Sequence, residues 1–171
     1  MKREEPIINL SYQFGPIKDI RHIISEVMGN FNEELFKIFY SRIISKRINT
    51  IISELINNVL ANTKDKDSYF GVKISTFDNQ VKIVVKNRVT LQQYNLVKKH
   101  VKMINNYSTP KKLLEKTIKE RRQKELRGGL GLIRIVSEER VKLQVRYFNN
   151  NSYMSVITRI KLNEEEEKWR F

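Results

Sequence analysis

Apolar side chains recur at intervals of three and four residues between about Ser41 and Asn62. The recurring positions are Ile44, Ile48, Ile51, Ile52, Leu55, Ile56, Val59 and Leu60. In an α-helix such positions share one face. The pattern therefore predicts a long amphipathic helix over this segment, with its apolar face in the protein core.

The rest of the pattern predicts strands separated by shorter helices. Strands are expected over residues 7–14, 69–77, 80–85, 141–148 and 153–162, and helices over residues 17–28, 90–105, 109–126 and 131–136. Gly29-Asn30 suggests the end of the first helix, and residues 31–40 fit neither pattern. This order predicts an α+β fold: a two-layer α/β sandwich whose mixed, mostly antiparallel sheet carries helices on one face.

Composition narrows the class of protein. The chain has 171 residues, 40% of them apolar and none of them cysteine, which suits one packed domain without disulfides or thiolate metal sites. Its charged start does not fit a signal peptide, and no apolar run approaches the roughly 20 residues that a membrane span needs. We therefore expect a cytoplasmic protein.

Positive charge is concentrated in one segment. The formal net charge is +14, and residues 97–127 hold eleven Lys/Arg against three Asp/Glu, a net of +8. Such a field attracts polyanions, whether nucleotides, nucleic acid or an acidic protein surface. Residues 164–167, all Glu, form an acidic counter-block near the end of the chain.

Two side chains on the long helix suit nucleotide chemistry. Glu54 and Asn58 lie four residues apart and so share a face, which borders the apolar stripe. The amide oxygen of Asn58 can bind Mg²⁺, and the carboxylate of Glu54 can accept a proton from a group that attacks a γ-phosphate. Taken alone, the pair also fits a solvated helix edge with no ligand.

A glycine-rich turn is the second candidate. Arg127, Gly128, Gly129, Leu130 and Gly131 precede an apolar helical segment. Glycines let the backbone approach a polyphosphate, and the helix that follows directs free N–H groups toward it. No Gly-Lys-Ser/Thr follows, so this is not a P-loop. A tight loop without a ligand is the alternative.

Together the two features resemble the GHKL ATPase superfamily, which includes sensor histidine kinases, anti-sigma-factor serine kinases, type II topoisomerases and MutL-like repair proteins. The resemblance covers roughly residues 41–162 and is carried by Glu54, Asn58, Gly129 and Gly131. It implies that Glu54 is the base or water-activating residue, that Asn58 binds the Mg²⁺ of bound ATP, and that the backbone of residues 128–131 surrounds the phosphates. Independently of the resemblance, Arg127 adds positive charge beside the turn that can bind phosphate oxygens.

The chain departs from this family at one motif. Typical members carry Asp-x-Gly-x-Gly after the strand that follows the Glu/Asn helix, and its Asp bonds the adenine amino group. Residues 84–89 contain neither Asp nor Gly. Asn87 can accept the same hydrogen bond through its amide oxygen, so we expect it in the adenine site.

The SiaB-type kinases, small stand-alone relatives, resemble the chain more closely. The shared features are Phe14 to Ile17, Glu54 to Asn58, Asn87, and Gly128 to Ile133 after a long charged segment. This resemblance implies one ATP-binding domain over residues 1–162, with a lid at about residues 88–127 and a charged tail over residues 163–171. It further implies a Ser/Thr kinase of a bacterial partner-switching pathway that phosphorylates a small STAS-type protein, and it is compatible with a homodimer.

Two other functions remain open. A degenerate GHKL module would bind nucleotide or a partner without catalysis. A basic nucleic-acid-binding protein would use the cations together with aromatic residues, although several of these, such as Phe70 and Phe148, fall on predicted strands and suit core packing. The two histidines, His22 and His100, are too few for a histidine-rich metal site and are expected to be structural or at the surface.

Overall fold

The structure, a computed structural model, describes residues 7–20, 23–63, 65, 67–123, 130–148 and 152–162. The strands are Ile8–Phe14 (β1), Phe70–Phe77 (β2), Gln80–Arg88 (β3), Leu143–Phe148 (β4) and Tyr153–Lys161 (β5). The helices are Ile17–Ile20 (α1), Ile24–Lys37 (α2), Arg42–Asn62 (α3), Leu91–Asn106 (α4), Pro110–Gln123 (α5) and Gly131–Glu138 (α6). Within these ranges no helix combines the length and apolar character that crossing a membrane requires.

The five strands form one sheet in the order β1-β2-β3-β5-β4, and every pairing is antiparallel. Burial alternates along β3, where Val81, Ile83, Val85 and Asn87 are buried and their neighbours are more exposed. One sheet face therefore packs on the helices, while the other is open. The predicted α+β two-layer sandwich is confirmed, although its sheet was expected to be mixed and is antiparallel at every pairing of the described strands.

Helix α3 is the centre of the helical layer. The hydroxyl of Ser41 accepts a hydrogen bond from the backbone N–H of Ile44 and so caps the helix start. Ile44, Ile48, Ile51, Ile52 and other members of the predicted stripe are fully buried. The predicted long helix is confirmed, and its polar edge holds Glu54 and Asn58.

The predicted helix end at Gly29-Asn30 is wrong, because α2 continues through it to Lys37. A Cβ on Gly29 would lie 2.9 Å from Asn49 Oδ1 and 3.3 Å from Ser53 Oγ, both on α3. This glycine therefore allows two helices to approach closely and does not stop either of them. Most of residues 31–40, which matched no pattern, continue α2.

Two helices, α4 and α5, occupy the predicted lid segment up to residue 123; residues 124–127 lie outside the described ranges. Thr90 begins α4 with a capping box formed with Gln93. Near its other end, Asn105 donates to the carbonyl oxygen of Leu143 at 2.7 Å and accepts from the Leu143 N–H at 3.1 Å. Helix α5 packs on α6. The segment is thus fastened to the sheet through α4.

Candidate functional site

A cavity of about 390 Å³ opens between α3, α4 and the inner face of β3 and β5. Most of its wall is aliphatic: Leu55, Val59, Val85, Leu132, Met154 and Val156. Asn58 and Asn87, predicted from separate parts of the sequence, both line it. A largely apolar cavity with a few placed polar groups is the usual form of a small-molecule site.

Asn87 contributes an unsatisfied acceptor to this cavity. Its side chain lies on the inner face near the end of β3 and is only 5% exposed. The amide nitrogen donates to the backbone oxygen of Arg88 at 3.3 Å, whereas the amide oxygen finds no partner among the described residues. A buried polar atom without a partner is costly, so a ligand that donates a hydrogen bond here would be favoured.

The start of α6 lies directly against the pair on α3. A Cβ on Gly131 would fall 2.6 Å from Glu54 Oε2 and 2.6 Å from Asn58 Nδ2. These distances are shorter than van der Waals contact, so only glycine leaves both side chains in place. Gly131, the last glycine of the predicted turn and the first residue of α6, is therefore in direct contact with Glu54 and Asn58.

The amide of Asn58 is held in one orientation. Its nitrogen donates to the backbone oxygen of Glu54 at 2.7 Å, one helical turn earlier. No described residue donates to its amide oxygen. That oxygen is thus the atom of Asn58 left to bind a ligand, and it is a hard donor of the kind that Mg²⁺ prefers.

Arg134 forms an ion pair with Glu54 that was not predicted from the sequence. Its Nη1 lies 2.6 Å from Oε1 of Glu54, whose side chain is 18% exposed. Arg134 follows Gly131 by three residues, so both share the face of α6 that meets α3. The three-residue spacing between Gly131 and Arg134 is the feature of the sequence that could have pointed to Arg134. The ion pair fixes the Glu54 carboxylate, with one oxygen on Arg134 and the other beside Gly131.

The other predicted turn residues divide between the described and undescribed parts of the chain. Leu130 precedes α6, and its carbonyl oxygen accepts the Arg134 N–H at 2.9 Å. It is partly buried and packs on the hydrophobic core. Arg127, Gly128 and Gly129 lie outside the described residues, so their expected roles stay predictions.

His100 belongs to the cavity wall, although the sequence suggested only a surface or structural role. It projects from α4 beside Val97 and Leu96. Burial lowers the pKa of its imidazole from the usual value, which favours the neutral form near pH 7. His22 lies outside the described residues.

The antiparallel sheet, the helical layer and the cavity between them define a two-layer α/β protein with a candidate site between its layers. No protein-family model and no curated protein matches the chain. Among solved structures it resembles a chain in the crystal structure of the SiaB–SiaC complex from Pseudomonas aeruginosa, with a TM-score of 0.63 and 14% sequence identity. The match covers 93% of this chain and 92% of that one. The two chains share a fold over nearly their whole lengths.

Proposed function

We propose that the chain binds ATP and Mg²⁺ in this cavity and acts as a protein Ser/Thr kinase of a partner-switching pathway, phosphorylating a small STAS-type protein. One observation carries the proposal: Gly131 brings the start of α6 within van der Waals distance of Glu54 and Asn58, at the edge of a cavity that Asn58 and Asn87 line. In phosphoryl transfer a carboxylate can accept a proton, a carboxamide can bind Mg²⁺, and backbone N–H groups can bind phosphate oxygens.

The cavity suits a purine base. Aliphatic side chains such as Leu55, Val85 and Met154 would cover the faces of a planar ring. The unpartnered amide oxygen of Asn87 would accept a hydrogen bond from the adenine amino group. In this chain Asn87 would replace the aspartate that is usual in the GHKL superfamily.

The polar end of the site suits a triphosphate with its cation. Asn58 would offer its amide oxygen to Mg²⁺, which keeps several waters and also binds phosphate oxygens. The described residues include no cluster of three His, Cys, Asp or Glu that could hold a metal alone, so phosphate would supply the remaining charged ligands. The N-terminal N–H groups of α6 would face the phosphates.

In the transfer step, Glu54 would accept the proton of the attacking Ser or Thr hydroxyl. Mg²⁺ supplies charge stabilisation to the phosphate oxygens when bound. Arg134 holds Glu54 at Oε1, which leaves Oε2 for this role. The residues of this chain thus position groups and stabilise charge, which is most of what phosphoryl transfer requires.

A protein partner is supported by the fold and by charge. The similar solved chain comes from a complex of two proteins, SiaB and SiaC. Exposed cations along α4 and α5, among them Lys98, Lys99, Lys111 and Lys112, would attract an acidic surface. We infer that the acceptor protein docks beside these helices.

Nucleotide binding without turnover is a second candidate, favoured by the Arg134–Glu54 ion pair at 2.6 Å. The ion pair holds the carboxylate in place and occupies Oε1, one of the two oxygens that could accept a proton. The chain would then regulate a partner through nucleotide-dependent docking.

A fluorescent ATP analogue, titrated with and without Mg²⁺, tests binding. We expect Mg²⁺ to tighten binding, Asn58→Ala to abolish that gain, and Asn57→Ala to behave like the parent because Asn57 is an exposed neighbour on α3. An absence of binding at millimolar nucleotide would overturn both candidates.

Transfer of labelled γ-phosphate to a co-purifying protein then separates the two candidates. Glu54→Gln should bind nucleotide like the parent but transfer no phosphate. If the parent binds Mg²⁺-ATP and transfers nothing, the second candidate stands. If Glu54→Gln transfers phosphate at the parent's rate, Glu54 is not the base.

A further inference from the structure

The open face of the sheet, turned away from the helices, carries only positive formal charge. In the strand register it presents seven Lys and Arg side chains, and the five strands hold no Asp or Glu. We call this the outer face and define it by its cations: Lys73, Lys82, Lys86, Arg88, Arg146, Arg159 and Lys161. None of the seven forms an ion pair with another described residue.

Two of these cations are directly opposed. Lys82 pairs with Arg159 across β3 and β5, and like charges in that position destabilise a sheet. Burial lowers the pKa of the Lys82 ammonium, and repulsion from three neighbouring cations lowers it further. Those cations are Arg159, Arg146 and Lys73. A bound polyanion would attract all of these cations and so offset the repulsion between them.

Aromatic rings lie among the cations. Phe148 on β4 pairs with Tyr153 on β5, and Phe148 is 47% exposed. The Nζ of Lys86 lies 5.5 Å from the centre of the Phe148 ring and 4.5 Å from that of Tyr153. The expectation that Phe148 is a core residue is therefore wrong, because it lies on the outer side of an edge strand.

A shallow groove crosses part of the outer face, and Lys82, Arg159 and Phe148 lie outside its lining. Its volume is about 340 Å³, and it runs over β1, β2, β3 and β5. Tyr69, Lys73, Lys86 and Tyr153 are among the side chains that line it. Tyr69 is 46% exposed, so rings are available at both ends of the groove and cations lie between them.

We propose that the outer face binds single-stranded nucleic acid, with phosphates on its lysines and arginines and bases on its exposed rings. A single strand offers both groups at once, since its unpaired bases stack on aromatic side chains while its backbone follows a positive surface. An acidic protein or an anionic membrane would use the cations alone. Duplex DNA keeps its bases paired and stacked, so the exposed rings would have no free base face to stack on.

This site would be independent of the nucleotide cavity, which lies on the inner face of the same sheet. Excess Mg²⁺-ATP is therefore expected not to displace nucleic acid. If ATP does displace it, the nucleic acid occupies the inner cavity, and this inference fails while the proposed function survives.

Fluorescence anisotropy with a labelled 20-nucleotide oligo(dT) or oligo(U) is the direct test. Lys82→Gln/Arg159→Gln should weaken binding at least tenfold, and the slope of log affinity against log salt should become less steep by about 1.4, because each neutralised phosphate on a single strand contributes about 0.7. The variant is expected to fold, since it removes an opposed pair of like charges; circular dichroism and a thermal melt check this.

The matched control is Lys111→Gln/Lys112→Gln, which removes the same charge from exposed positions on α5. It should bind the oligonucleotide within about twofold of the parent, because a cation remote from the bound strand releases no counterion there. Equal losses in both double variants would show that net charge alone drives binding and would overturn the proposal.

The rings have their own test. Phe148→Ala should lower oligonucleotide affinity by about tenfold, the loss expected for one stacked base, whereas Phe39→Ala, an exposed phenylalanine just beyond α2, should not. The proposal is overturned if the parent does not bind the oligonucleotide at 0.1 M salt. If it instead binds phosphatidylserine vesicles or polyglutamate, and Lys82→Gln/Arg159→Gln weakens that binding, the outer face has another partner.

Discussion

Gly131 is the residue on which the geometry of the candidate site depends most directly. The two atoms that a Cβ would strike, Glu54 Oε2 and Asn58 Nδ2, are both the far ends of side chains. The fold can therefore accommodate a methyl group by moving these side chains, but the site cannot keep its present arrangement. Stability and ligand affinity should respond differently to a substitution here.

We predict that Gly131→Ala leaves the melting temperature within a few degrees of the parent and weakens Mg²⁺-nucleotide binding by at least about tenfold, the loss that 1.4 kcal/mol represents. Calorimetry and nucleotide titration measure the two effects. Gly71→Ala is the control, because its Cβ would meet only the Tyr12 backbone oxygen at an ordinary 3.5 Å. An unchanged nucleotide affinity in Gly131→Ala would contradict the assigned site.

His100 gives the cavity a dependence on pH. Its folded-state pKa lies below the usual value because of burial, so the fold favours the neutral ring. The contribution of this residue to stability is complete above about pH 6.5, the unfolded value, and is lost as the pH falls through the folded pKa. We predict that the parent loses stability between pH 7.5 and 5.5 and that His100→Gln loses less.

Urea unfolding at both pH values measures this difference. His100→Gln keeps a polar side chain of similar size at this half-buried position in the cavity wall, so the protein should still fold. Equal losses in parent and variant would mean that other groups determine the acid sensitivity.

Only part of the candidate site could be predicted from the spacing of residues along the chain. The i,i+4 spacing of Glu54 and Asn58 on a helix with a clear apolar face made them candidates, and the glycine turn was needed as well to assign them. Asn87 came from a family resemblance, because a lone asparagine on a strand has no local signal. Arg134 was not assigned, although its i,i+3 spacing from Gly131 places both on one face of α6. His100 could not be assigned, since its place in the cavity wall depends on how α4 packs on β4 and α6.

Among the elements, the joint between α4 and β4 is a defined structural link. Asn105 satisfies both the N–H and the carbonyl of Leu143 at 3.1 and 2.7 Å, as a neighbouring strand would. Leu143 is buried, so no water can replace these bonds easily. The link attaches a wall of the cavity to the edge of the sheet.

We predict that Asn105→Ala lowers the free energy of unfolding by about 2 kcal/mol, the cost of two lost hydrogen bonds with their groups left buried. Urea unfolding measures the loss, and hydrogen exchange should show faster opening at the Leu143 amide. Asn106→Ala, one residue later and exposed, should change little. Equal effects of both substitutions would assign the loss to helix propensity.

The same scale shows which elements a sequence can predict. Helix α3 was predicted within a residue or so at each end because its apolar period is long and uninterrupted. The end of α2 was misplaced because Gly29 is a typical stop signal whose actual role, close packing on α3, is a tertiary contact. Strands were predicted, but their order was not, since pairing between distant segments leaves no local pattern.

For the whole molecule, the distribution of charge matters more than its total. A net charge of +14 attracts polyanions anywhere on the surface. The outer face concentrates cations on strands that hold no Asp or Glu, whereas Lys37 on α2 lies within 3.2 Å of Glu33 and 2.6 Å of Glu34. Neutralising a lysine should therefore change stability in opposite directions at these two places, and salt should weaken both effects.

Neutralising Lys82 should stabilise the protein at low ionic strength, because it removes repulsion from Arg159 directly across the strands. We expect a gain of about 0.5 kcal/mol that fades as the screening length falls from roughly 30 Å at 0.01 M to about 8 Å at 0.15 M salt. Lys37→Gln removes attractions and should instead lower the melting temperature, again most at low salt. Thermal melts of both variants and the parent across this range measure the effect. If both substitutions raise the melting temperature, the total charge of the protein decides its stability. If only Lys82→Gln raises it, the repulsion is local to the outer face. A polyanion that binds there should then raise the melting temperature of the parent more than that of Lys82→Gln.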